Sequence, residues 1–306
     1  MAVTAALVKQ LRETSGAGMM DCKKALEETN ADIDAAIDWL RTKGLATAAK
    51  KSGRVASEGL IAIHVNGDSA AMIELNAETD FVSRNDDFKL LASNLAMLAN
   101  KVQNLNELNS LSYPNSERTV AEEITHNIAT IGENMMLRRM KNMRVERGSV
   151  VSYVHNSTAE GMGRIGVLVA LESQAKSEIL EGLGKQIAMH VAASKPASLS
   201  VQSLDPAMVQ KERDILLEQA KESGKSADIA KKMVEGRIRK FYQEVVLLEQ
   251  TFVIDGESKI ADVLKKAASE CGSEIVLKEF CLFVLGDGIE KEETDFATEV
   301  AAQLEK

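Results

Sequence analysis

The chain has 306 residues, 45% of them hydrophobic, enough for two or three domains with cores of their own. Lysine and arginine number 37 against 46 aspartates and glutamates, a net charge of −9, which argues against a protein whose affinity comes from the phosphate backbone of nucleic acid. No run is long and apolar enough to span a bilayer, so neither membrane nor nucleic acid is an expected partner.

The opening stretch MAVTAALVKQLRE mixes apolar and charged residues within one helical turn, without the apolar centre of a signal peptide, and its early Glu13 is poor for a transit peptide. Residues 3–43 read as three short amphipathic helices. Val3, Leu7, Val8 and Leu11 stripe the first; Met19, Cys22, Ala25 and Leu26 the second; Ile33, Ala36, Ile37 and Leu40 the third. Gly16-Ala17-Gly18 separates the first two, Asp32 signals an N-cap for the third, and Trp39 is expected to pack inside the bundle. Residues 46–54, small and basic, read as a linker.

From residue 55 the period changes to that of strands. Residues 60–65 and 71–76 flank Asn66-Gly67, a hairpin signal, and a helix carrying Phe88, Leu91, Leu95 and Leu98 follows. Residues 117–141 read as a helix with one charged face. Residues 150–154 and 165–170 form a second hairpin, again followed by a helix, over 179–189. The repeated order predicts two related α+β subdomains with antiparallel sheets. Residues 206–222 and 226–243 read as charged helices with a sparse seam of Met208, Ile215, Leu216, Ile229, Met233 and Ile238, the pattern of an antiparallel coiled-coil hairpin. Residues 245–254 and 275–285 read as strands of the second sheet, and Phe296, Val300 and Leu304 as one face of a C-terminal helix.

Candidates for covalent chemistry are few. Gly224-Lys225-Ser226 follows helix and lacks the earlier glycine of a phosphate loop, and Gly182-Leu183-Gly184-Lys185 fails in the same way. His64, His126 and His190 lie within strand or helix patterns, whereas His155 stands at a strand-to-turn junction. No metal-ligand spacing or distinct carboxylate pair emerges, and no cofactor is implied. Cys22, Cys271 and Cys281 suit free thiols in a reducing compartment, with the cytosol as the natural location. A nucleophilic role for Cys22, beside Lys23 and Lys24, is the weakest of three readings. The string Glu-Thr-Asp-Phe occurs twice, at 78–81 and 293–296. The second copy continues into the C-terminal helix, so its Phe is packing; the first leaves a strand, so Phe81 either points outward or folds over its own helix.

Two stretches, Leu11 to Leu26 (LRETSGAGMMDCKKAL) and Glu74 to Arg84 (ELNAETDFVSR), resemble signatures of the elongation factor Ts family. The resemblance extends through Ile131-Gly132-Glu133-Asn134, Tyr153 and His155, residues 189–196 and 233–237, and residues 286–300, covering essentially the whole chain in order. It implies an exchange factor, without covalent chemistry, for the translational GTPase elongation factor Tu, in GDP-bound and nucleotide-free forms. By resemblance, Asp80 and Phe81, flanked by Thr79 and Val82, dock on the GTPase domain and disturb its magnesium and phosphate site. Met19, Met20 and Lys23 of a ubiquitin-associated-like three-helix bundle touch the same domain, Ile131 and Gly132 belong to the core contact surface, and His155 with Phe252 and Val253 faces elsewhere on the partner.

The expected division is residues 1–54, bundle and linker; 55–145, the first subdomain; 146–285, the second, with the hairpin inserted at about 200–245; and 286–306, a C-terminal helical module. The sequence leaves open whether the hairpin joins two copies of the chain as a homodimer or touches the partner. A competing reading makes the chain an adaptor that binds through its helical module.

Overall fold

The structure is a computed structural model, and it describes residues 3–222 and 227–290. The turn expected at Gly224-Lys225-Ser226, the second Glu-Thr-Asp-Phe string and the C-terminal helix lie outside the described residues.

Three helices open the chain: α1 (Ala5–Ser15), α2 (Met19–Glu28) and α3 (Ile33–Lys51). Thr4 caps α1 by accepting the Leu7 N–H, and Asp32 caps α3 by accepting that of Ala35. They close around Leu11, Cys22, Ala25, Leu26 and Ala36, with Trp39 at the edge and the Lys43 ammonium 5.3 Å from its ring. The linker expected at 46–54 is instead largely helix. Its alanines favour helix, and the extension has a surface to cover: Ala48 joins the neighbouring core, and Gly44 comes close to Ala129.

Two units of the same topology follow. The first contains β1 (Glu58–Asn66), β2 (Ser69–Ala77), α4 (Asp86–Ala99), α5 (Leu105–Ser110), α6 (Val120–Ile131) and β3 (Met135–Arg144). The second contains β4 (Gly148–His155), β5 (Met162–Gly163), β6 (Ile165–Ser173), α7 (Ser177–Ser194), α8 (Pro206–Glu222), α9 (Ala227–Val245), α10 (Ile260–Cys271) and β7 (Ile275–Val284). Strand orders are β3-β2-β1-β5 and β4-β6-β7, antiparallel throughout, so the middle strand of each three-stranded set is the second arm of its hairpin. The likeness reaches individual residues. A bulge falls between Glu74 and Leu75 in one unit and between Ala170 and Leu171 in the other. Left-handed Gly132 ends α6, and left-handed Gly272 ends α10, each three residues before a strand.

The sheets pack face to face through Ile61, Met72, Val150, Leu168 and Phe283. Gly166 permits the approach, since an added Cβ would lie 2.6 Å from Ile61 Cγ2. Phe88, Leu91, Leu95 and Ile124 cover the outer face of the first sheet, and Leu180, Ile187, Val191 and Ile260 that of the second. Helices α8 and α9 meet along Leu216, Ala220, Val234 and Ile238. The seam is narrower than expected and rotated from it: Met208, Ile215 and Ile229 are exposed.

Two further expectations are corrected. The helix expected over 117–141 is α6 followed by β3, whose arginines serve a buried carboxylate and so give the strand a misleading polar pattern. The strand expected over 245–254 is the end of α9 and a 3-10 turn, Leu247–Glu249; Val246, Leu247 and Phe252 are apolar because they enter the core.

Candidate partner interface

Strand β2 ends at Ala77, and the chain turns through Glu78, Thr79 and Asp80. Val82 starts a 3-10 turn ending at Arg84 and is buried in the first unit's core, and the Asn85 side chain then caps α4 by accepting the Phe88 N–H at 3.1 Å. Anchoring Val82 leaves its neighbour Phe81 outside: Phe81 is 72% exposed, so of the two placements left open the outward one is observed. Asp80 is exposed too, and its carbonyl accepts the Ser83 hydroxyl at 2.5 Å. Val82, expected among the partner-contact residues, has its side chain buried as the corner's anchor.

A second corner, between α6 and β3, is joined to the first. Thr79 donates its N–H to Glu133 Oε2 at 2.9 Å and its hydroxyl to Glu133 Oε1 at 2.6 Å. In return the Asn134 N–H donates to Glu78 Oε1 at 2.6 Å. The end of α3 reaches the same place: Arg54 pairs with Glu78 at 3.3 Å, the Asn134 amide donates to the Arg54 carbonyl at 2.7 Å, and the Lys51 ammonium donates to the Gly132 carbonyl. Exposed Gly132 and half-buried Ile131 are therefore tied to Asp80-Phe81 through neighbouring residues. Sequence reasoning gave Arg54, Glu78, Glu133 and Asn134 no role, since their partners lie 24 to 80 residues away.

The remaining candidates stand elsewhere. Met19, Met20 and Lys23 occupy the first turns of α2, where Met20 is 74% exposed and Lys23 pairs with Glu27. His155 is exposed at the end of β4, its Nδ1 3.0 Å from the Tyr153 hydroxyl. Val253 is exposed, whereas Phe252, expected with it in the same contact region, is only 3% exposed and packs in the second core. His190 holds this loop, its Nε2 2.9 Å from Gln250 Oε1 and its Nδ1 accepting the Val253 N–H at 3.3 Å.

Cys22 is fully buried against Ser15 and the Ala17 carbonyl, which removes the access a nucleophile needs. Burial pushes the Cys281 thiol up to about 11. No group of three or more metal-ligating side chains is found among the described residues, and no described helix is long and apolar enough to cross a membrane.

An exposed aromatic on a corner clamped by core packing and charged hydrogen bonds is the kind of anchor by which one protein grips another. A family described as Elongation factor TS matches residues 78–287. A protein named elongation factor Ts from Rhodospirillum rubrum is 58% identical over 306 residues, 99% of each chain. Its counterpart from Gluconobacter oxydans is 57% identical over 301 residues, 98% of this chain and 97% of its own. The chain belongs to the elongation factor Ts family, a family of translation elongation factors.

Proposed function

We propose that the protein promotes exchange of GDP for GTP on elongation factor Tu by inserting Asp80-Phe81 into the GTPase domain and disturbing the magnesium and phosphate site. The observation that carries this reading is the exposure of Phe81 beside a buried Val82: a large apolar side chain is held out in water on a fixed backbone. Magnesium and the phosphate loop hold most of a bound nucleotide's charge, so shifting them weakens binding without covalent chemistry. By linkage, nucleotide weakens the factor's grip by the same ratio, and incoming GTP releases it.

In this reading residues 1–54 form a ubiquitin-associated-like module that docks Met19, Met20 and Lys23 on the same GTPase domain. Residues 55–145, with Ile131 and Gly132, carry the wedge. Residues 146–285 offer His155 and Val253 to another part of the partner, with a coiled-coil hairpin inserted at about 200–245. The protein acts in the cytoplasm.

The test is release of a fluorescent GDP analogue from elongation factor Tu with magnesium present, followed by stopped flow. The wild-type chain should accelerate release and Phe296→Ala should keep most of the effect. Phe81→Ala should lose about ten- to a hundredfold, since burying a Phe side chain contributes roughly 1.5–3 kcal/mol. A wild-type chain without effect would sink the exchange reading and turn attention to an adaptor role for the helical module.

A further inference from the structure

We infer that Glu78 and Glu133 form a reciprocal clasp that makes the Asp80-Phe81 corner and the Ile131-Gly132 corner one rigid contact unit, so that both glutamates are positioning residues for nucleotide release. This rests on the reading of Phe81 as the wedge. Each corner supplies a carboxylate that accepts a backbone N–H of the other: Glu133 from Thr79 at 2.9 Å, Glu78 from Asn134 at 2.6 Å. The Thr79 hydroxyl takes the second oxygen of Glu133 at 2.6 Å, and Arg54 lies 3.3 Å from Glu78, offsetting one of the two negative charges. Hydrogen bonds to ionised carboxylates are short and about twice as strong as neutral ones. Thr79 directly precedes Asp80, and Gly132 directly precedes Glu133, so the bonds act on the backbone next to the contact residues.

The fold does not demand this clasp. Counted from the paired positions Ala77↔Met135 and Ser173↔Ile275, the second unit has the same two corners. There Gln174 and Ser273 stand in place of Glu78 and Glu133, and the side-chain link the two corners show is from the Ser173 hydroxyl to the Glu274 carbonyl at 2.6 Å. In that unit Lys176 and Ser177 stand where Asp80 and Phe81 do. The unit that displays the aromatic anchor is the one that carries the clasp. A wedge that must displace packed groups in its partner gains from being held in place beforehand, because a misplacement of about 1 Å in a positioned group can cost about a hundredfold in rate.

The experiment measures GDP-analogue release from elongation factor Tu across a range of factor concentrations, with amide exchange of Thr79 and Asn134 followed by NMR. Glu133→Ala should lower the maximal release rate about tenfold, with the half-saturating concentration little changed and the thermal midpoint only slightly lower. Glu133→Gln, which keeps one acceptor oxygen and the side-chain shape, should fall between. In a Phe81→Ala background Glu133→Ala should add no further loss, because both changes act through the same wedge. Equal losses in the two backgrounds, or Glu133→Ala rates within about twofold of wild type, would overturn the clasp and leave the wedge standing. If wild type itself accelerates nothing, the wedge reading and the positioning role fail together. The NMR arm then still decides the clasp as structure: faster exchange at Thr79 in Glu133→Ala supports it, and unchanged exchange refutes it.

Discussion

His190 controls an exposed loop from within the core. With Nε2–H donating to Gln250 and Nδ1 accepting the Val253 N–H, the neutral ring satisfies both bonds, and a second proton would break the one to Val253. Burial, opposed by the Gln250 bond, holds the His190 pKa below its ordinary value, and burial with the Arg118 charge does the same for His126. The folded-state pKa is thus below the unfolded value of about 6.5, so the unfolded chain takes up the proton first as pH falls. Stability is fully present above that value and declines as pH drops toward the folded pKa. Urea midpoints at pH 7.5, 6.5 and 5.5 should therefore fall for wild type, and the gap between wild type and His190→Gln should narrow over the same steps. A gap that stays constant would mean that His190 does not titrate in this range. The strand-to-helix corner that carries Phe81 was legible, while the sequence left open whether its side chain points outward. The buried state of Phe252 was not legible, because one aromatic in an apolar run reads alike whether it lines a strand or fills a core.

At the scale of elements, local pattern succeeded where propensity and burial agree. The two hairpins, α4, α7 and the caps at Asp32 and Asn85 follow from alternation, turn residues and side-chain acceptors close in sequence. Strand β3 was hidden because Arg138, Arg139 and Lys141 break its alternation; they are there for carboxylates, Glu74 on the adjacent β2 and Glu279 on β7 of the other sheet. Glycines in α7 show the same dependence on what lies opposite. An added Cβ at Gly184 would lie 2.6 Å from Val151 Cγ2 and 2.8 Å from its Cβ, whereas Gly182 is exposed with open space. The two alanine substitutions should have opposite signs. Gly182→Ala should stabilise by up to about 1 kcal/mol through helix propensity. Gly184→Ala should destabilise by about 1–3 kcal/mol, because α7 must lift from β4. Thermal unfolding of both variants checks this, and equal shifts would refute a packing role for Gly184.

The whole molecule is a helical module joined to two like units packed sheet to sheet, and the repeat explains why element order was readable when the letters were not. Equivalent positions keep geometry, such as the left-handed glycines and the bulges, while their side chains diverge with what each unit must do. The bulge shows this well. Ala170 stands beside it in the second unit, but in the first the equivalent place holds Glu74, which is 0% exposed. Its carboxylate accepts from Arg138 at 3.1 Å, Arg139 at 2.5 Å, Asn76 at 3.1 Å and the Gly286 N–H at 2.8 Å. The arginines continue to the Asp287 and Val284 carbonyls, and Arg139 stacks 4.2 Å above Phe283, so one carboxylate organises the seam between the sheets. Removing one member of such a buried set strands the opposite charge, which costs more than the set contributes as a whole. Glu74→Ala, which installs the second unit's own residue, should therefore destabilise by about 3–5 kcal/mol. Glu279→Ala, breaking a half-exposed pair with Lys141, should cost about 1 kcal/mol or less. Replacing Glu74, Arg138 and Arg139 together by apolar residues of similar volume should cost less than Glu74→Ala alone. Urea unfolding of the three variants decides the matter. If the triple replacement is the most damaging, the network carries net stability of its own; if Glu74→Ala is nearly neutral, the units are held by the apolar seam and the carboxylate is incidental to it.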